Sequence, residues 1–510
     1  MRILIWHGWL LEGSGSNVAT ARVCEVFRAS GHDVVLLCQE PHPERYGWID
    51  AYGSIDAGGP GELTQRTDAF RAPGRCVVLR PFVGPILPVF VVDRYEGFDE
   101  VKRFVDLTTD ELDAYLHANV EAVKAAEVWH GSEVSIFGHA VPGAAIARRA
   151  LGPGRYVVKI HGSDLEYAVR EQSRYQTLAR EGLSTALAVA GPGREVLERA
   201  ATFVPEVRGL AHVVPPGVDV TSFRPRSRVD ALLGAAERLE HDPDTVRGRP
   251  SSLDAEVAHA VSGRDHEALD VLATGYEQDV PDRDVAARLR KLAQRDEPII
   301  GYLGKLIPQK GAELALISHR VMQRAATALI VGFGSSREWL AALDIALRQG
   351  DHAALEWLVA AGEMPIDPSS TTTVADGRRD VVFTGRLDHR YAPAVLAAMD
   401  VQVVPSILPE AFGMVAAEGA AAGALIMIAR HSGLAEVAGA LEAEVDRPGL
   451  FSFEPGDGAV YRLAEGVDSL LSLPVEERDE IRAAVSNFVH REWTWDRTAA
   501  RLLEAAGVGG

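Results

Sequence analysis

The sequence predicts an α/β chain in which two doubly wound domains follow one another. Short apolar runs, of the length expected for buried parallel strands, alternate with helical patterns in both halves of the chain. The second series of runs begins near residue 299, after a long interval that is poor in strand-like segments. A chain of 510 residues is also too long for a single hydrophobic core, so each series is expected to form its own parallel sheet.

The individual elements follow from these runs. In the first half the predicted strands lie at residues 3–6, 34–38, 76–79, 134–137, 156–160, 186–190 and 212–214. In the second half they lie at residues 299–303, 328–332, 381–384, 401–404 and 424–428. Helical stretches such as residues 17–29 separate the runs, and the turn-rich segment 215–219 marks the junction between the two series. We expect residues 1–217, completed by a C-terminal helix within 492–510, to form the first domain and residues 218–491 to form the second.

Two stretches of the second half depart from the alternating pattern. Residues 226–296 are rich in Arg, Asp, Glu and Ala and predict a charged helical insertion. Residues 335–378 predict a second insertion, with an exposed loop at 369–373 where serine and threonine cluster. The pairs Asp242/Asp244 and Asp282/Asp284 have a spacing seen in metal sites, but they lie inside the charged insertion. We interpret them as solvated residues.

The composition excludes several classes of function. The formal net charge of −20 argues against nucleic acid as a partner, because binding to its phosphates depends on Lys and Arg. The three cysteines, Cys24, Cys38 and Cys76, have no paired metal spacing and cannot form a disulfide framework, so we expect a reducing, cytoplasmic setting. The first residues are typical of a strand and not of a signal peptide, and no run approaches the ~20 apolar residues of a membrane helix.

The most informative segment is LPEAFGMVAAEG at residues 408–419, in which two glutamates, Glu410 and Glu418, flank an aromatic–glycine step. Carboxylates accept hydrogen bonds from vicinal hydroxyls. Phe412, Gly413 and Met414 predict a helix start, where backbone N–H groups and the positive end of the helix dipole favour phosphate. Two solvated acidic residues would require neither the phenylalanine nor the glycine. The segment therefore predicts affinity for a ligand that carries both hydroxyls and phosphates, as an activated sugar does.

Other candidate residues follow predicted strands, at the edge where open α/β sheets bind ligands. Lys305 and Lys310 come after the strand at 299–303 and could clamp a diphosphate, the alternative being two exposed loop lysines. His161 follows the strand at 156–160 and could donate to a hydroxyl, the alternative being a structural histidine. The segment 432–436, which contains a glycine and Glu436, is a weaker candidate.

A glycine-rich loop follows the first strand. Gly13 and Gly15, with Ser16, would let the backbone approach a phosphate or a sugar at a helix start. A dinucleotide site is the alternative, with Glu40 as the acid that binds ribose. It requires a third glycine at the position that Val18 occupies.

Together these motifs resemble the retaining glycosyltransferases of the GT-B type, family 4 (glycosyl transferases group 1). The resemblance covers the chain outside the two insertions and implies two Rossmann-like domains facing a cleft, the first for the acceptor and the second for the donor. It implies that Glu410 accepts from the sugar hydroxyls and Glu418 from the ribose, and that the amides of Phe412, Gly413 and Met414 contact sugar or phosphate. It further implies that Gly13, Gly15 and Ser16 face the diphosphate or the acceptor and that His161 lies beside the C6 hydroxyl of the donor sugar. The family usually spans the diphosphate with an arginine and a lysine; the lysine matches Lys310, but Lys305 stands at the arginine position.

The resemblance implies transfer of a hexosyl group, with retention, from a nucleoside-diphosphate sugar, with UDP or GDP as the carrier, to a hydroxyl acceptor. The residues assigned to catalysis are His161, Lys305, Lys310 and Glu410, with no metal and no further cofactor. Two alternatives stay open: a sugar-nucleotide epimerase or phosphorylase of the same fold, and a non-catalytic nucleotide-sugar-binding protein. The sugar, the base, the acceptor (a small molecule, a glycan or a lipid-linked sugar), self-association and peripheral attachment to the inner membrane face are also left open.

Overall fold

The structure is a computed structural model that describes residues 1–508 except 92–94, 96, 99, 276–278 and 362–378. The chain divides into two compact units, and each has its own sheet. Unit 1 comprises Met1–Gly217 and Trp493–Gly510, and unit 2 comprises Val218–Glu492. The loop predicted at 369–373 lies outside the described residues.

Unit 1 contains a ten-stranded sheet and a separate two-stranded sheet, formed by its seventh and eighth strands, with helices around them. Its strands are β1 (Arg2–Trp6), β2 (Asp33–Leu37), β3 (Ala51–Asp56), β4 (Gly59–Pro60), β5 (Thr64–Gln65), β6 (Arg75–Pro81), β7 (Ile86–Val89), β8 (Glu100–Arg103), β9 (Val134–Gly138), β10 (Val157–Lys159), β11 (Ala188–Gly191) and β12 (Ala211–Val213). Its helices are α1 (Gly15–Ala29), α2 (Thr109–His130), α3 (Ala144–Leu151), α4 (Ser173–Leu183), α5 (Arg194–Phe203) and α6 (Val207–Leu210), joined by α19 (Trp495–Ala505) from the C-terminus.

The sheet of unit 1 is parallel at its centre and antiparallel only at one edge. Its order is β12-β11-β10-β9-β1-β2-β6-β3-β4, and β4 and β5 pair antiparallel with β3. The central strands are short runs rich in Val, Ile and Leu and are buried throughout, as a sheet covered on both faces requires. Strands β1, β9 and β10 are neighbours and run parallel, so the residues that follow them lie along one edge.

Unit 2 is built on a six-stranded parallel sheet with the order β15-β14-β13-β16-β17-β18. Its strands are β13 (Ile299–Leu303), β14 (Thr327–Val331), β15 (Val381–Phe383), β16 (Val401–Val404), β17 (Leu425–Ala429) and β18 (Ser452–Phe453). Its helices are α7 (Arg228–Glu240), α8 (Leu253–Gly263), α9 (His266–Gly275), α10 (Val285–Ala293), α11 (Ala312–Val321), α12 (Arg337–Gln349), α13 (His352–Ala361), α14 (Ala392–Ala397), α15 (Met414–Ala422), α16 (Ser432–Glu444), α17 (Ala459–Ser472) and α18 (Val475–Glu492).

The stretch 226–296 is helical, as predicted, but it is packed into unit 2. Helix α7 packs against α10 and α14, and α8 packs against α12. The apolar faces of these helices are buried, including Leu232, Leu239 and Leu289. The predicted insertion at 335–378 starts too early. Helix α12 within it is buried along most of its length and forms the crossover that the parallel neighbours β14 and β15 require.

Two aspartates of the charged stretch are not solvated, which corrects the prediction for Asp242 and Asp282. Asp242 is 5% exposed and accepts a hydrogen bond of 2.7 Å from the hydroxyl of Tyr391. Asp282 is fully buried, and its Oδ2 accepts a hydrogen bond of 2.8 Å from Arg288. Asp242 therefore joins the charged stretch to the start of α14, and Asp282, whose Oδ2 is also 3.5 Å from the Arg337 guanidinium, joins it to α12. Within the described ranges, no three His, Cys, Asp or Glu side chains are grouped so that they could hold a metal ion.

None of the helices in the described part of the chain combines the length and the hydropathy that a membrane crossing requires.

Candidate functional site

The candidate site in unit 2 starts from two neighbouring strands. Strands β13 and β16 pair parallel, so the loops that follow them leave the sheet side by side. The two loops are also bonded to each other, because the amide of Ile407 donates to the carbonyl of Gln309 at 2.9 Å. Gly311 makes this approach feasible: its φ is 69°, and a Cβ there would lie 2.2 Å from the carbonyl oxygen of Pro405.

Lys310 and Glu410, predicted from different motifs, meet at this edge. The Lys310 ammonium donates to Glu410 Oε1 at 2.8 Å, and the hydroxyl of Ser406 donates to the same oxygen. The side chains of Lys310 and Glu410 are 35% and 21% exposed, so the pair lies at the surface of unit 2 with both charges within reach of a ligand. A partly exposed ion pair of this kind contributes little to stability.

The backbone of Glu410 is held by the start of helix α16. The amide of Glu410 donates to the hydroxyl of Ser432 at 2.9 Å. His431 supports this contact: its Nε2 donates to the carbonyl of Ser406 at 2.6 Å, which leaves Nδ1, 3.1 Å from the Ser432 hydroxyl, as an acceptor. At Gly433 a Cβ would lie 2.3 Å from the carbonyl oxygen of Ala411, so the close approach depends on glycine. Glu436, of the weaker candidate segment 432–436, lies inside α16.

Helix α15 begins beside Glu410, as the sequence predicts. Gly413 is its N-cap with a φ of 96°, and Met414 is its first residue. A Cβ at Gly413 would lie 2.4 Å from Leu434 Cδ2, and Phe412 is 7% exposed and packs inward. No described side chain caps the helix start, and its first turn has no acidic residue. Its amides and the positive end of its dipole are therefore suited to a phosphate.

Glu418 and Lys305 lie at the borders of this arrangement. Glu418 is on α15 and 8% exposed, and its Oε1 is 3.6 Å from Nε2 of the half-exposed His389. The Lys305 ammonium lies 6.0 Å from the ring centre of Phe333, and Phe333 is on the loop that follows β14. Lys305 and Lys310 therefore share a loop, but the ammonium of Lys305 is placed on the side of β14 and that of Lys310 on the side of β16.

The candidates of unit 1 lie after β1 and β10. Gly13 has a φ of 89° with open space where a Cβ would lie, and Gly15 is the first residue of α1. The hydroxyl of Ser16 is 3.1 Å from that of Ser14, the N-cap of α1. Glu40, considered as a ribose acid, is instead 4% exposed and accepts from the amides of Leu11 and His42, both at 3.0 Å. Both carboxylate oxygens of Glu40 therefore bond backbone amides, and one of them holds the loop after β1.

His161 lies in a group of histidines that the sequence analysis did not single out. The ring of His139, after β9, is 4.6 Å from the ring of His161, and the ring of His7, after β1, is 5.9 Å from that of His139. His7 is held by helix α1: its Nε2 donates to Asn17 Oδ1 at 2.9 Å. Burial lowers the pKa of His7 and of His139 to about 3 and that of His161 well below its ordinary value, with positive neighbours adding to the effect. All three imidazoles are therefore neutral near pH 7.

Lys159, the last residue of β10, is the cation beside these histidines. Its side chain is buried and 8% of the residue is exposed. Burial lowers the pKa of Lys159 to about 8. In the β9–β10 pairing Lys159 stands opposite Gly138, where a Cβ would lie 3.5 Å from Nδ1 of His7. The polar residues at the ends of β1, β9 and β10 therefore converge. Their position directly after predicted strands, the signal that pointed to His161, would also have indicated His7 and His139.

Asp164 joins the loops that carry His139 and His161. It is fully buried, and its carboxylate accepts from the amide of Ala140 at 2.5 Å and from the amide of Gly162 at 2.8 Å. His139 has a φ of 71°, which is unusual for a residue with a side chain. The carboxylate thus fixes two loops in a defined arrangement. Burial raises the pKa of Asp164, although these amides oppose the shift.

A cavity of about 580 Å³ occurs elsewhere in unit 2. Its lining includes Arg288, Lys291, Arg337 and Phe383, beside the edge strand β15. None of the predicted donor-binding residues contributes to its walls, so we assign the candidate site by its chemistry and not by the cavity.

Comparison with known proteins defines the class. Solved structures cover almost the whole chain: sucrose-phosphate synthase from Thermosynechococcus elongatus (17% identity, 98% of this chain and 96% of that one, TM-score 0.55) and Anabaena HepE with UDP and glucose (12%, 98% of each, TM-score 0.56). At these identities they show the fold, which is GT-B, and the predicted fold class is confirmed.

The sequence comparisons identify the group. The family described as "Glycosyl transferases group 1" matches residues 340–472. A GDP-mannose-dependent alpha-(1-6)-phosphatidylinositol monomannoside mannosyltransferase of Mycobacterium tuberculosis is 26% identical over 388 residues, covering 74% of this chain and 76% of that protein. A 2-deoxystreptamine glucosyltransferase of Streptomyces kanamyceticus is 30% identical over 302 residues, covering 56% of this chain and 65% of that protein. The chain is a GT-B glycosyltransferase, and its residues 340–472 match the group 1 family.

Proposed function

We propose that this glycosyltransferase moves a sugar from a nucleoside-diphosphate sugar, with UDP or GDP as the carrier, to a hydroxyl acceptor with retention of configuration. The observation that carries the proposal is the Lys310–Glu410 pair at 2.8 Å, beside the uncapped start of α15. This arrangement offers donors for phosphate next to acceptors for sugar hydroxyls. The names of similar proteins agree with it, since one relative is GDP-mannose-dependent and a structural neighbour holds UDP and glucose.

Donor binding would replace the ion pair. The β-phosphate takes the Lys310 ammonium and the first amides of α15, while sugar hydroxyls donate to the Glu410 carboxylate. Ser406 and Ser432 keep Glu410 in place during this exchange, because their contacts to it do not involve the lysine. Glu418, mostly buried, accepts from the ribose, and Lys305 adds charge on the β14 side.

The chemical step separates an anionic diphosphate from an oxocarbenium-like sugar. The bond between the anomeric carbon and the diphosphate oxygen breaks, and the acceptor oxygen forms its new bond from the same face. The acceptor proton passes to the departing diphosphate, so no protein nucleophile is needed. Lys305, Lys310 and α15 stabilise the leaving charge, and Glu410 holds the sugar hydroxyls. We propose that these cationic groups act without a metal.

The test is a thermal-shift screen with UDP-, GDP-, ADP- and TDP-sugars, followed by transfer assays with the responding donor. A bound donor raises the melting temperature by mass action. In Lys310→Ala and Glu410→Gln we expect the shift to weaken and the transfer rate to fall at least ~100-fold, the scale of a lost transition-state donor. Lys291→Ala, an exposed lysine of the same unit, is the matched control and should behave as wild type.

Two outcomes would contradict the proposal. One is normal transfer in both Lys310→Ala and Glu410→Gln. The other is an inverted anomeric configuration in the product, which NMR coupling constants of the purified glycoside would reveal.

A further inference from the structure

The polar group at the ends of β1, β9 and β10 contains nitrogen atoms that no described residue satisfies. The Lys159 ammonium, Nδ1 of His139 and Nε2 of His161 are all buried and have no hydrogen-bond partner in the described part of the chain. Buried polar atoms are normally paired, because an unpaired one loses its hydration without compensation. Three such atoms from adjacent strand ends indicate a site built for a group that binds there.

The Lys159 ammonium has no carboxylate partner in the described part of the chain. The ionisable side chains that face Lys159 are the Cys24 thiol on α1 and the imidazoles of His7, His139 and His161. Burial raises the pKa of Cys24, so its thiol is neutral and offers no counter-charge. The carboxylate of Asp164, the acid between these loops, is engaged by backbone amides.

A metal ion or a neutral hydroxyl fits this group less well than an oxyanion. A metal would need converging acceptors, but Nε2 of His7 donates to Asn17, and a cationic lysine repels a metal ion. A neutral hydroxyl would satisfy one imidazole and leave the ammonium unpaired. A phosphate or carboxylate has the charge for Lys159 and enough oxygen acceptors to bond the imidazoles as well.

We propose that the group formed by Lys159, His139 and His161 in unit 1 is an oxyanion site that binds a phosphate or carboxylate group carried by the acceptor. As an acceptor subsite it rests on the proposed transfer function, whereas the binding of an oxyanion at these residues does not. The acceptor would then be a hydroxyl compound with an attached oxyanion, such as a sugar phosphate or a uronic acid. Lys159 is the residue that would distinguish it from a neutral polyol.

The first experiment is calorimetric titration with inorganic phosphate, glucose 6-phosphate, glucuronate and glucose at about pH 8.5, in buffers of different ionisation enthalpy. An oxyanion stabilises the charged ammonium, so binding should take up about 0.5 to 1 proton. Glucose should not bind with proton uptake. Comparing the affinities for glucose 6-phosphate and glucuronate decides whether the site prefers a phosphate or a carboxylate.

Variants separate this site from the donor site of unit 2. Lys159→Met removes the charge while keeping the length and the apolar stem, and should weaken oxyanion binding at least ~10-fold, the scale of one charge-assisted hydrogen bond. Lys310→Ala should leave the proton-linked binding unchanged, because the proton is taken up by Lys159 and not at the donor site. If phosphate binding instead disappears in Lys310→Ala and persists in Lys159→Met, the anion occupies the donor site and the proposal fails.

The remaining outcomes are equally decisive. Absence of oxyanion binding to the wild-type protein at about 10 mM ligand overturns the proposal, and so does binding without proton uptake. If Lys159→Met does not fold, proton uptake on oxyanion binding by the wild-type protein still tests the proposal, because that measurement requires no variant. A failed transfer assay with normal oxyanion binding would count against the proposed function and not against this site.

Discussion

The buried histidines His7 and His139 predict that unit 1 loses stability on mild acidification. Both are neutral in the folded protein because burial lowers their pKa to about 3. In the unfolded chain a histidine has a pKa of about 6.5. Below that value the unfolded state binds more protons than the folded state, so stability falls as the pH falls from about 6.5 towards 3.

The magnitude follows from the same two pKa values. At pH 5 the pH is about 1.5 units below the pKa of an unfolded histidine, which is therefore protonated, while the folded histidine is still neutral. Each buried histidine therefore costs about 2 kcal/mol at pH 5 relative to pH 7, or about 4 kcal/mol for the two together. That is a large part of the stability of a typical domain.

Urea unfolding at pH 7 and pH 5 measures this loss, with hydrogen exchange of peptides from β1 and β9 to assign it to unit 1. Between pH 7 and pH 5 the free energy of unfolding of the double variant His7→Gln/His139→Asn should fall by about 4 kcal/mol less than that of wild type, because both histidines are absent. Asparagine is chosen at position 139 because it tolerates the positive φ there. His212→Gln, an exposed histidine of unit 1, is the control and should keep the wild-type loss. An equal loss in the double variant and in wild type would refute the assignment of neutral buried imidazoles.

Three further predictions concern unit 2. Asp282→Asn should lower the free energy of unfolding by about 3–5 kcal/mol in urea titrations, because it leaves the buried Arg337 without its counter-charge; a change near zero would mean a solvated aspartate. Gly433→Ala should displace the loop that carries Glu410, because its Cβ would lie 2.3 Å from the carbonyl oxygen of Ala411. The transfer rate should therefore fall, while the free energy of unfolding measured without donor changes little. Gly439→Ala in the same helix, where the Cβ meets open space, should leave the transfer rate unchanged. Transfer should continue in the presence of a chelator, and loss of activity that a divalent metal restores would contradict the proposed role of the lysines.

The sequence predicted that Lys310 and Glu410 follow strands of unit 2 and that a helix starts after Glu410, because these features depend on local patterns. Parallel strands place their carboxyl ends along one edge, and the structure adds that β13 and β16 are neighbours there, which brings Lys310 to Glu410. Gly413 at the start of α15 was predictable from the position of a glycine before an alanine-rich helix. The parallel order of the central strands followed from their apolar runs.

Other features depend on contacts between distant residues. Asp242 and Asp282 are buried against Tyr391 and Arg337, and no local pattern places these distant partners beside the aspartates. Strands β3 and β8 were missed because AYGSID and EVKR contain turn-forming or charged residues and lack an apolar run. Lys159 was read only as part of a strand, since its unpaired ammonium becomes evident once β1, β9 and β10 are known to be neighbours.

The central claim is that the diphosphate of the donor binds at Lys310 beside the start of α15. A crystal structure of the protein with UDP or GDP, chosen by the thermal-shift response, tests it most directly. We expect a phosphate oxygen within hydrogen-bond distance of the Lys310 ammonium, with the 2.8 Å contact to Glu410 opened or shared. A nucleotide bound elsewhere, with the Lys310–Glu410 pair intact and facing solvent, would contradict the account.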